Sequence, residues 1–474
     1  MSPALKSRFF NREHVALAHA GLVVVAASWM LGGIGPTLEW IVALLAAPSL
    51  GLLAAEAHDR LRSRDRAGFR RLLRWLAPLA LLAALVVVSA LNPSHRIAII
   101  SDIQILRPVP HVEWLPASAR PAQSLRVLAC LGGLAATGLS LAFCTRSRRA
   151  LRVLLLVVVL NTLALAVLGT VQRQTGATGP LLNQFPAPNT FWFSTFLYHN
   201  HWGAFAILST GLALGLVFQS LRQTPERGWL HGPGPLVALA ALLVAATVPL
   251  SGSRSSSVIV ALLLSGAASI SIPRLRADGR LGAAPVAVLA AAAVLLAGLI
   301  VFQSRDTIAS RTQTTLDQLA TIRTGAGGYA RAELYADTWR MAADRPAFGW
   351  GLESYGSIFL NYSRVPADIN GVVNTFEDAH SDWLQALAEL GFVGVALLVL
   401  FAALPLVETL RRARPRIAEI WPLAACCLVA AYAWVEFPFA NPAVVALWWV
   451  SWFAALRGLQ LAPASSSPCS PSSS

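Results

Sequence analysis

Apolar residues along this chain are gathered into blocks of roughly twenty, the length a helix needs to cross a bilayer. The blocks fall at 15–34, 38–55, 72–91, 124–144, 150–171, 200–219, 235–250, 256–272, 284–302, 383–405, 418–436 and 441–458. The period-two alternation of an outer-membrane barrel is absent. The pattern predicts an all-α, polytopic membrane protein of about twelve transmembrane helices. Between the ninth and tenth blocks lies a stretch at 303–382, too long for a simple connector and carrying helical periodicity. It is expected to fold as a large, partly helical element on the outer surface of the membrane. The chain divides into N-terminal membrane helices (1–194), a core that includes the long loop (195–405), C-terminal membrane helices (406–462) and a Ser/Pro-rich tail (463–474). The tail cannot bury a core and is expected to be disordered.

Composition agrees with this pattern. Of 474 residues, 56% are hydrophobic and only 13% charged, too few charges to cover a soluble protein of this length. The formal net charge of +14 changes the picture only through its placement. Basic residues sit in short loops such as Arg60–Arg74, Arg146–Arg152, Arg274–Arg280 and Arg411–Arg416, where they orient helices against the cytoplasmic face. With cytoplasmic termini, 24 of the 37 Lys and Arg residues fall inside. Seven of the other 13 belong to the long loop, where the charge rule does not hold. No stretch interleaves basic and aromatic residues along a soluble surface, so a nucleic-acid partner is not expected. The expected location is a bacterial inner membrane. The first block follows Lys6, Arg8 and Arg12; a signal peptide is the alternative, but a second block follows almost at once, which favours a retained helix. The five cysteines show neither metal-ligand spacing nor a disulfide framework.

A few residues carry candidate chemistry. Arg254, in PLSGSRSSSVIV, opens a helix outside the cytoplasm, where backbone N–H groups already favour an anion. With Ser253 and the following serines it offers a phosphate site; the alternative is an interfacial arginine snorkelling to headgroups. Arg331, in YARAELYADTWRMAADRPAFGWG, lies in a first helical turn, where a cation is disfavoured unless an anion binds. Its alternative is a solvated side chain paired with Glu333 or Tyr335. His380, in TFEDAHSDWLQALAELGFVG, has acidic neighbours Glu377, Asp378 and Asp382, which favour a basic imidazole able to accept a proton. An interfacial histidine without a catalytic role is the alternative. His199 and His201 flank Asn200 in FLYHNHWGAFA; the pair signals a metal only weakly, since no third ligand stands nearby. Glu389 and Glu436, acids near helix ends, are too few for an ion relay. The sequence carries no hydrolase elbow, P-loop or dinucleotide fingerprint.

Taken in order, four of these segments resemble the O-antigen ligase/polymerase family. FLYHNHWGAF is similar to a family segment of the form NRNHFAGY, and LSGSRSSS to TGSRG. The stretch from Arg331 to Phe359 resembles R…W..AL.M..D.P.FGVGLGTF, and AHSDWLQALAELGFVGV resembles AHNDYLQ.LAELGL.G. The resemblance runs from about Thr195 to Leu400 and departs at His199, where relatives carry Arg, and at Ser381, where they carry Asn. It implies a periplasm-facing membrane glycosyltransferase that takes a saccharide from undecaprenyl diphosphate and passes it to an acceptor hydroxyl, without cofactor or metal. It further implies Arg254 and Arg331 as diphosphate ligands and His380 as base or acceptor-positioning residue. Asn200, His201, Ser253 and Asp382 would be supporting residues. The acceptor could be lipid A-core, a growing glycan or a protein hydroxyl, giving ligase, polymerase or protein-glycosylating activity. A lipid-glycan transporter without chemistry is the remaining reading, although it should show broken helices and mid-membrane charges.

Overall fold

A computed structural model describes residues 11–100, 103–187, 189–223, 232–277, 279, 331–364, 376–413 and 416–461. The expected helix at 284–302, loop residues 303–330 and 365–375, and the tail lie outside the described residues. Every other apolar block carries a helix: α1 (Arg12–Trp29), α2 (Pro36–Ala46), α3 (Pro48–Arg62), α4 (Arg66–Leu91), α5 (Pro121–Cys144), α6 (Arg148–Gln174), α7 (His199–Gln223), α8 (Gly234–Leu250), α9 (Arg254–Ala277), α11 (Asp382–Leu410), α12 (Ile417–Tyr432) and α13 (Pro442–Gln460). The long loop contributes α10 (Arg331–Asp344). Among the described residues eight helical spans are long and apolar enough to cross a membrane, α2 and α3 together counting as one, and α8 and α12 are shorter apolar helices.

The helix starts follow from local chemistry. Asn11, Asp65, Ser147, Ser381 and Asn441 each accept a backbone N–H from the first turn of the helix they precede, satisfying donors that have no intrahelical partner. Proline opens α2, α3, α5 and α13, where its missing N–H costs nothing.

Three helices form the centre. In their most apolar stretches, 94% of residues are buried in α13, 78% in α7 and 72% in α5, against 28% in α9 and α11. A helix apolar all round needs such enclosure by other helices. Small residues let the backbones close up. A Cβ on Gly138 of α5 would lie 2.7 Å from the Trp449 carbonyl oxygen of α13, and one on Gly211 of α7 would lie 2.4 Å from Ala425 Cβ of α12. Cys130, Cys144 and Cys426 are buried in this packing, whereas Cys427 faces outward.

One feature corrects the all-helical expectation. Within the loop after α4, β1 (His95–Ile100) and β2 (Ile103–Pro108) pair antiparallel as a hairpin, with Arg96 opposite Arg107. Its isoleucine-rich run lacks clean alternation, so the signal is easily lost beside twenty-residue apolar blocks. The hairpin packs through Leu106 on a second apolar cluster built from α10 and the turns after it, including Leu334, Met341, Tyr355, Ile358 and Phe359. The described part of the long loop is thus a small folded cap.

This cap is locked onto the membrane helices by a break in α11. Gly391 sits at φ 64°, ψ −176°, interrupting the helical ladder, and the segment Pro346–Gly351 docks beside it. Phe392 N donates to Pro346 O at 2.8 Å, Val393 N to Ala347 O at 3.1 Å, Trp350 N to Ala388 O at 2.9 Å and Gly351 N to Glu389 O at 2.8 Å. Backbone groups freed by the break are therefore paired again. Only glycine fits at Gly391 and Gly349: both have positive φ, and a Cβ on either would lie 2.3–2.4 Å from the backbone of the facing segment. The Glu389 carboxylate completes the lock, accepting from Glu353 N at 2.9 Å and Tyr355 N at 3.0 Å.

Candidate active site at the capped end of the bundle

The capped end gathers side chains from five distant parts of the chain around one carboxylate. α12 ends at Tyr432, earlier than the apolar block suggests, so Glu436 lies in the connection to α13. It is 2% exposed. Arg331, first residue of α10, donates from Nη2 to Glu436 Oε1 at 2.7 Å and from Nη1 to Val435 O at 3.0 Å. Neither Glu333 nor Tyr335, the partners weighed from the sequence, takes that place. His380 points Nδ1 toward Glu436 Oε2 at 3.9 Å, within ion-pair range but too long for a hydrogen bond. Tyr198 OH donates to the same oxygen at 3.4 Å.

The backbone holds these groups in place. Asp382 N donates to Glu436 O at 3.2 Å, and Phe439 N donates back to Asp382 Oδ2 at 2.8 Å. Tyr335 OH donates to the His380 carbonyl at 2.9 Å. His380 itself has φ 51°, a left-handed conformation that a non-glycine residue holds only when its surroundings enforce it. Phe437 places its ring edge-on to the imidazole, centroids 4.8 Å apart, and stacks on Tyr198 at 5.2 Å.

Electrostatics follow from this geometry. Burial alone would push the Glu436 carboxyl up, but His380 and the Arg331 guanidinium more than offset it and hold its pKa below the ordinary value. Burial likewise works against the Arg331 charge, and Glu436 reverses it, raising the guanidinium pKa. Burial and the Glu436 charge push the Tyr198 phenol up, which keeps it a donor. Asp378, in the acidic junction before His380, is pushed up to about 6 by burial, with His380 opposing and Glu377 adding to the shift.

The other residues singled out from the sequence fall around this centre. Ser253 Oγ donates to Asn200 Oδ1 at 2.5 Å, and Asn200 Nδ2 donates to Tyr198 OH at 2.8 Å. A continuous hydrogen-bonded chain therefore runs from Ser253 through Asn200 and Tyr198 to Glu436. Arg254, next to Ser253, is exposed at the first residue of α9. His201 places Nε2 3.1 Å from Phe437 O, so that nitrogen carries the proton and is turned away from metal ligation. Among the described residues no three His, Cys, Asp or Glu side chains gather as a metal-binding group. Asp382, acidic in the sequence pattern, acts as an acceptor for the α13 connection. Glu436 and Tyr198 are the members that the sequence alone did not assign. The available signal for Glu436 was an acid directly after an apolar block, in VEFPF.

Fold and site together define a multi-pass helical membrane protein whose charged centre sits at one end of the bundle, under a folded cap. Residues 239–399, about a third of the chain, match a family model described as O-Antigen ligase. This similarity supports an O-antigen ligase- or polymerase-like enzymatic role in surface polysaccharide biogenesis. The match includes Arg254, Arg331 and His380 and leaves the FLYHNHWGAF segment and Glu436 outside it. No curated protein matches the chain.

Proposed function

We propose that this enzyme transfers a saccharide from undecaprenyl diphosphate to an acceptor hydroxyl at the periplasmic face of a bacterial inner membrane, with ligase-like activity on lipopolysaccharide or a related surface glycan. The observation that carries the reading is the shared carboxylate: Glu436 lies between Arg331 at 2.7 Å and His380 at 3.9 Å. A cation for the leaving diphosphate and a base for the acceptor are thereby held next to each other.

In this reaction the acceptor O–H gives its proton to His380 while its oxygen attacks the anomeric carbon. The sugar–oxygen bond to the diphosphate breaks, and the electron pair leaves on the diphosphate. Because Nδ1 faces Glu436, Nε2 is the nitrogen that takes the proton. The imidazolium formed is then stabilised by the Glu436 anion, which serves as a positioning residue. Arg331, half exposed, uses two of its N–H groups on Glu436 and Val435 and keeps others for an oxygen of the leaving group. Arg254, beside the Ser253–Asn200–Tyr198 chain, supplies the second guanidinium.

The test is transfer by the purified protein from a synthetic undecaprenyl-diphosphate glycan to a hydroxyl acceptor. Product without added nucleotide sugar supports the reading, and intact donor after long incubation contradicts it. Orientation is tested separately. A reporter active only in the periplasm should be active near Gly371 and silent at Asp278, and the reverse would place the site in the cytoplasm. In a deletion strain, accumulated lipid-linked polymer marks a ligase, and accumulated lipid-linked single repeats mark a polymerase.

A further inference from the structure

A second cluster of basic and aromatic groups lies at the far end of α10. Its fourteen residues separate Arg331 from Arg345 by about 20 Å. The Arg345 guanidinium lies over the Trp350 ring, 4.0 Å from the centroid. Its Nη2 sits 3.3 Å from His111 Nε2, and His111 Nδ1 sits 3.0 Å from Val109 O. One tautomer satisfies both contacts: Nδ1 carries the proton and donates to the carbonyl, and Nε2 accepts from the arginine. The indole is pinned as well, its Nε1 donating to Met341 O at 2.9 Å. Tyr362 stands edge-on to it at 6.1 Å, and His95 lies at 6.1 Å on the hairpin. All these side chains are partly buried.

Arg331 pairs with Glu436, and Arg340 and Arg364 share Asp337, but among the described residues no carboxylate is in ion-pair contact with Arg345. Burial lowers its pKa, and Tyr362 and Glu113 recover only part of the shift. Burial, with the charges of Arg345 and His111, lowers the pKa of His95, so the imidazole on the hairpin adds no competing full charge near neutrality. The C-terminal dipole of α10 and the indole face offset some of the desolvation; neither satisfies the remaining guanidinium N–H groups. A rigid guanidinium on an aromatic backing, already ordered by backbone-anchored partners, binds without losing much further entropy.

We infer that Arg345 and Trp350, bordered by Tyr362 and His95, form a subsite for an acidic sugar residue, a uronate or a phosphorylated sugar, several rings from the reacting end of the glycan. The inference rests on the transferase reading for the identity of the glycan. The guanidinium pairs with the carboxylate or phosphate through parallel hydrogen bonds, and the surrounding rings meet the apolar face of the sugar. A lipid headgroup would use the guanidinium and leave that aromatic border without a partner.

The test is calorimetric binding to the full-length protein in phosphatidylcholine nanodiscs. The probes are a hyaluronan hexasaccharide and its carboxyl-reduced, neutral form. The acidic probe is expected to bind roughly tenfold more tightly, the worth of one charge-assisted contact, and Arg345→Gln to erase the difference. Arg345→Lys should fall between the two. His380→Ala and Arg331→Ala should keep the preference, which separates this subsite from the reacting centre even if no transfer is ever detected. Equal binding of both probes by the wild type would overturn the inference. So would an undiminished preference in Arg345→Gln, or loss of both probes in Arg345→Gln and Arg345→Lys alike, which would make Arg345 an element of the fold. Competition by phosphatidylglycerol discs that disappears in Arg345→Gln would reassign the site to lipid.

Discussion

The two ends of the bundle both concentrate charge, and they use it differently. At the end where α1, α4 and α6 begin, arginines are stitched into the fold. Arg148 donates to Gly458 O at 2.5 Å and Leu461 O at 3.1 Å, and Arg457 to Thr145 O at 2.6 Å. Arg12 pairs with Asp59 at 2.6 Å, and Arg74 with Glu408 at 2.6 Å. Glu13 accepts from the N–H groups of Arg146 and Ser147. These cations satisfy carbonyls at helix ends or pair with carboxylates, Arg12 reaching both Asp59 and Glu56. At the capped end, one buried carboxylate is shared by an arginine, a histidine and a tyrosine, and the backbone is bent into positive φ at His380 and Glu353. Counting charge does not separate the two ends, and neither does sharing of a buried carboxylate, since Glu56 pairs with both Arg12 and Arg60. What separates them is an imidazole held at positive φ against the shared carboxylate, His380 facing Glu436, and that pairing marks the candidate site.

The comparison predicts a graded set of losses. The largest belongs to His380→Ala, expected to lower transfer by a hundredfold or more, the usual scale for a general base, while donor binding stays largely intact. Full transfer by that variant would remove the acid–base role. Next comes Arg331. Lysine there should be nearly as damaging as alanine, because a guanidinium can grip a diphosphate through two parallel bonds and an ammonium cannot. Donor affinity should fall roughly ten- to hundredfold in both variants, and an unchanged dissociation constant would contradict the assignment.

A smaller loss is expected at the cap. Glu389→Ala leaves the Glu353 and Tyr355 N–H groups without an acceptor, at about 1–3 kcal/mol each if they stay buried. The amides of 351–355 should exchange hydrogen faster, with transfer reduced about tenfold. Glu389→Gln, which retains one acceptor, should recover part of both. Protection unchanged in Glu389→Ala would show that the backbone bonds at the α11 break suffice alone. The smallest effect on activity belongs to the opposite end: Arg148→Gln should lower the thermal midpoint by about 2–4 °C and leave the transfer rate unchanged. A lost rate there with an intact fold would erase the distinction between the two ends.

Much of this arrangement was legible in the sequence, for definite reasons. Apolar blocks report helices because twenty consecutive apolar residues have few other stable solutions. Arg254, Arg331 and His380 stood out because a cation or imidazole at a membrane boundary needs a reason to be there. Other features are tertiary and leave little local trace. The end of α12 at Tyr432 frees Glu436 to reach Arg331, more than a hundred residues away in the chain. The Glu389 lock depends on N–H groups more than thirty residues earlier. The hairpin His95–Pro108 is held by the cap, not by a strong strand pattern of its own.

The central claim is that Glu436 serves both halves of the reaction, and Glu436→Gln tests it most directly. The glutamine keeps the shape and removes the charge. With its folded pKa held below the ordinary 4.5, Glu436 contributes stability above its unfolded value and loses it as pH falls through the lower folded value. The wild type should therefore surpass the variant throughout neutral pH and converge with it only below about pH 4.5. The measurement is single-turnover transfer near pH 7, together with donor affinity, for wild type and Glu436→Gln of the purified protein. The account predicts that the chemical step slows at least tenfold, because His380 loses the anion that stabilises its protonated form, and that donor affinity also changes, because Arg331 loses its anchor. A variant with wild-type rate and wild-type donor affinity would contradict it.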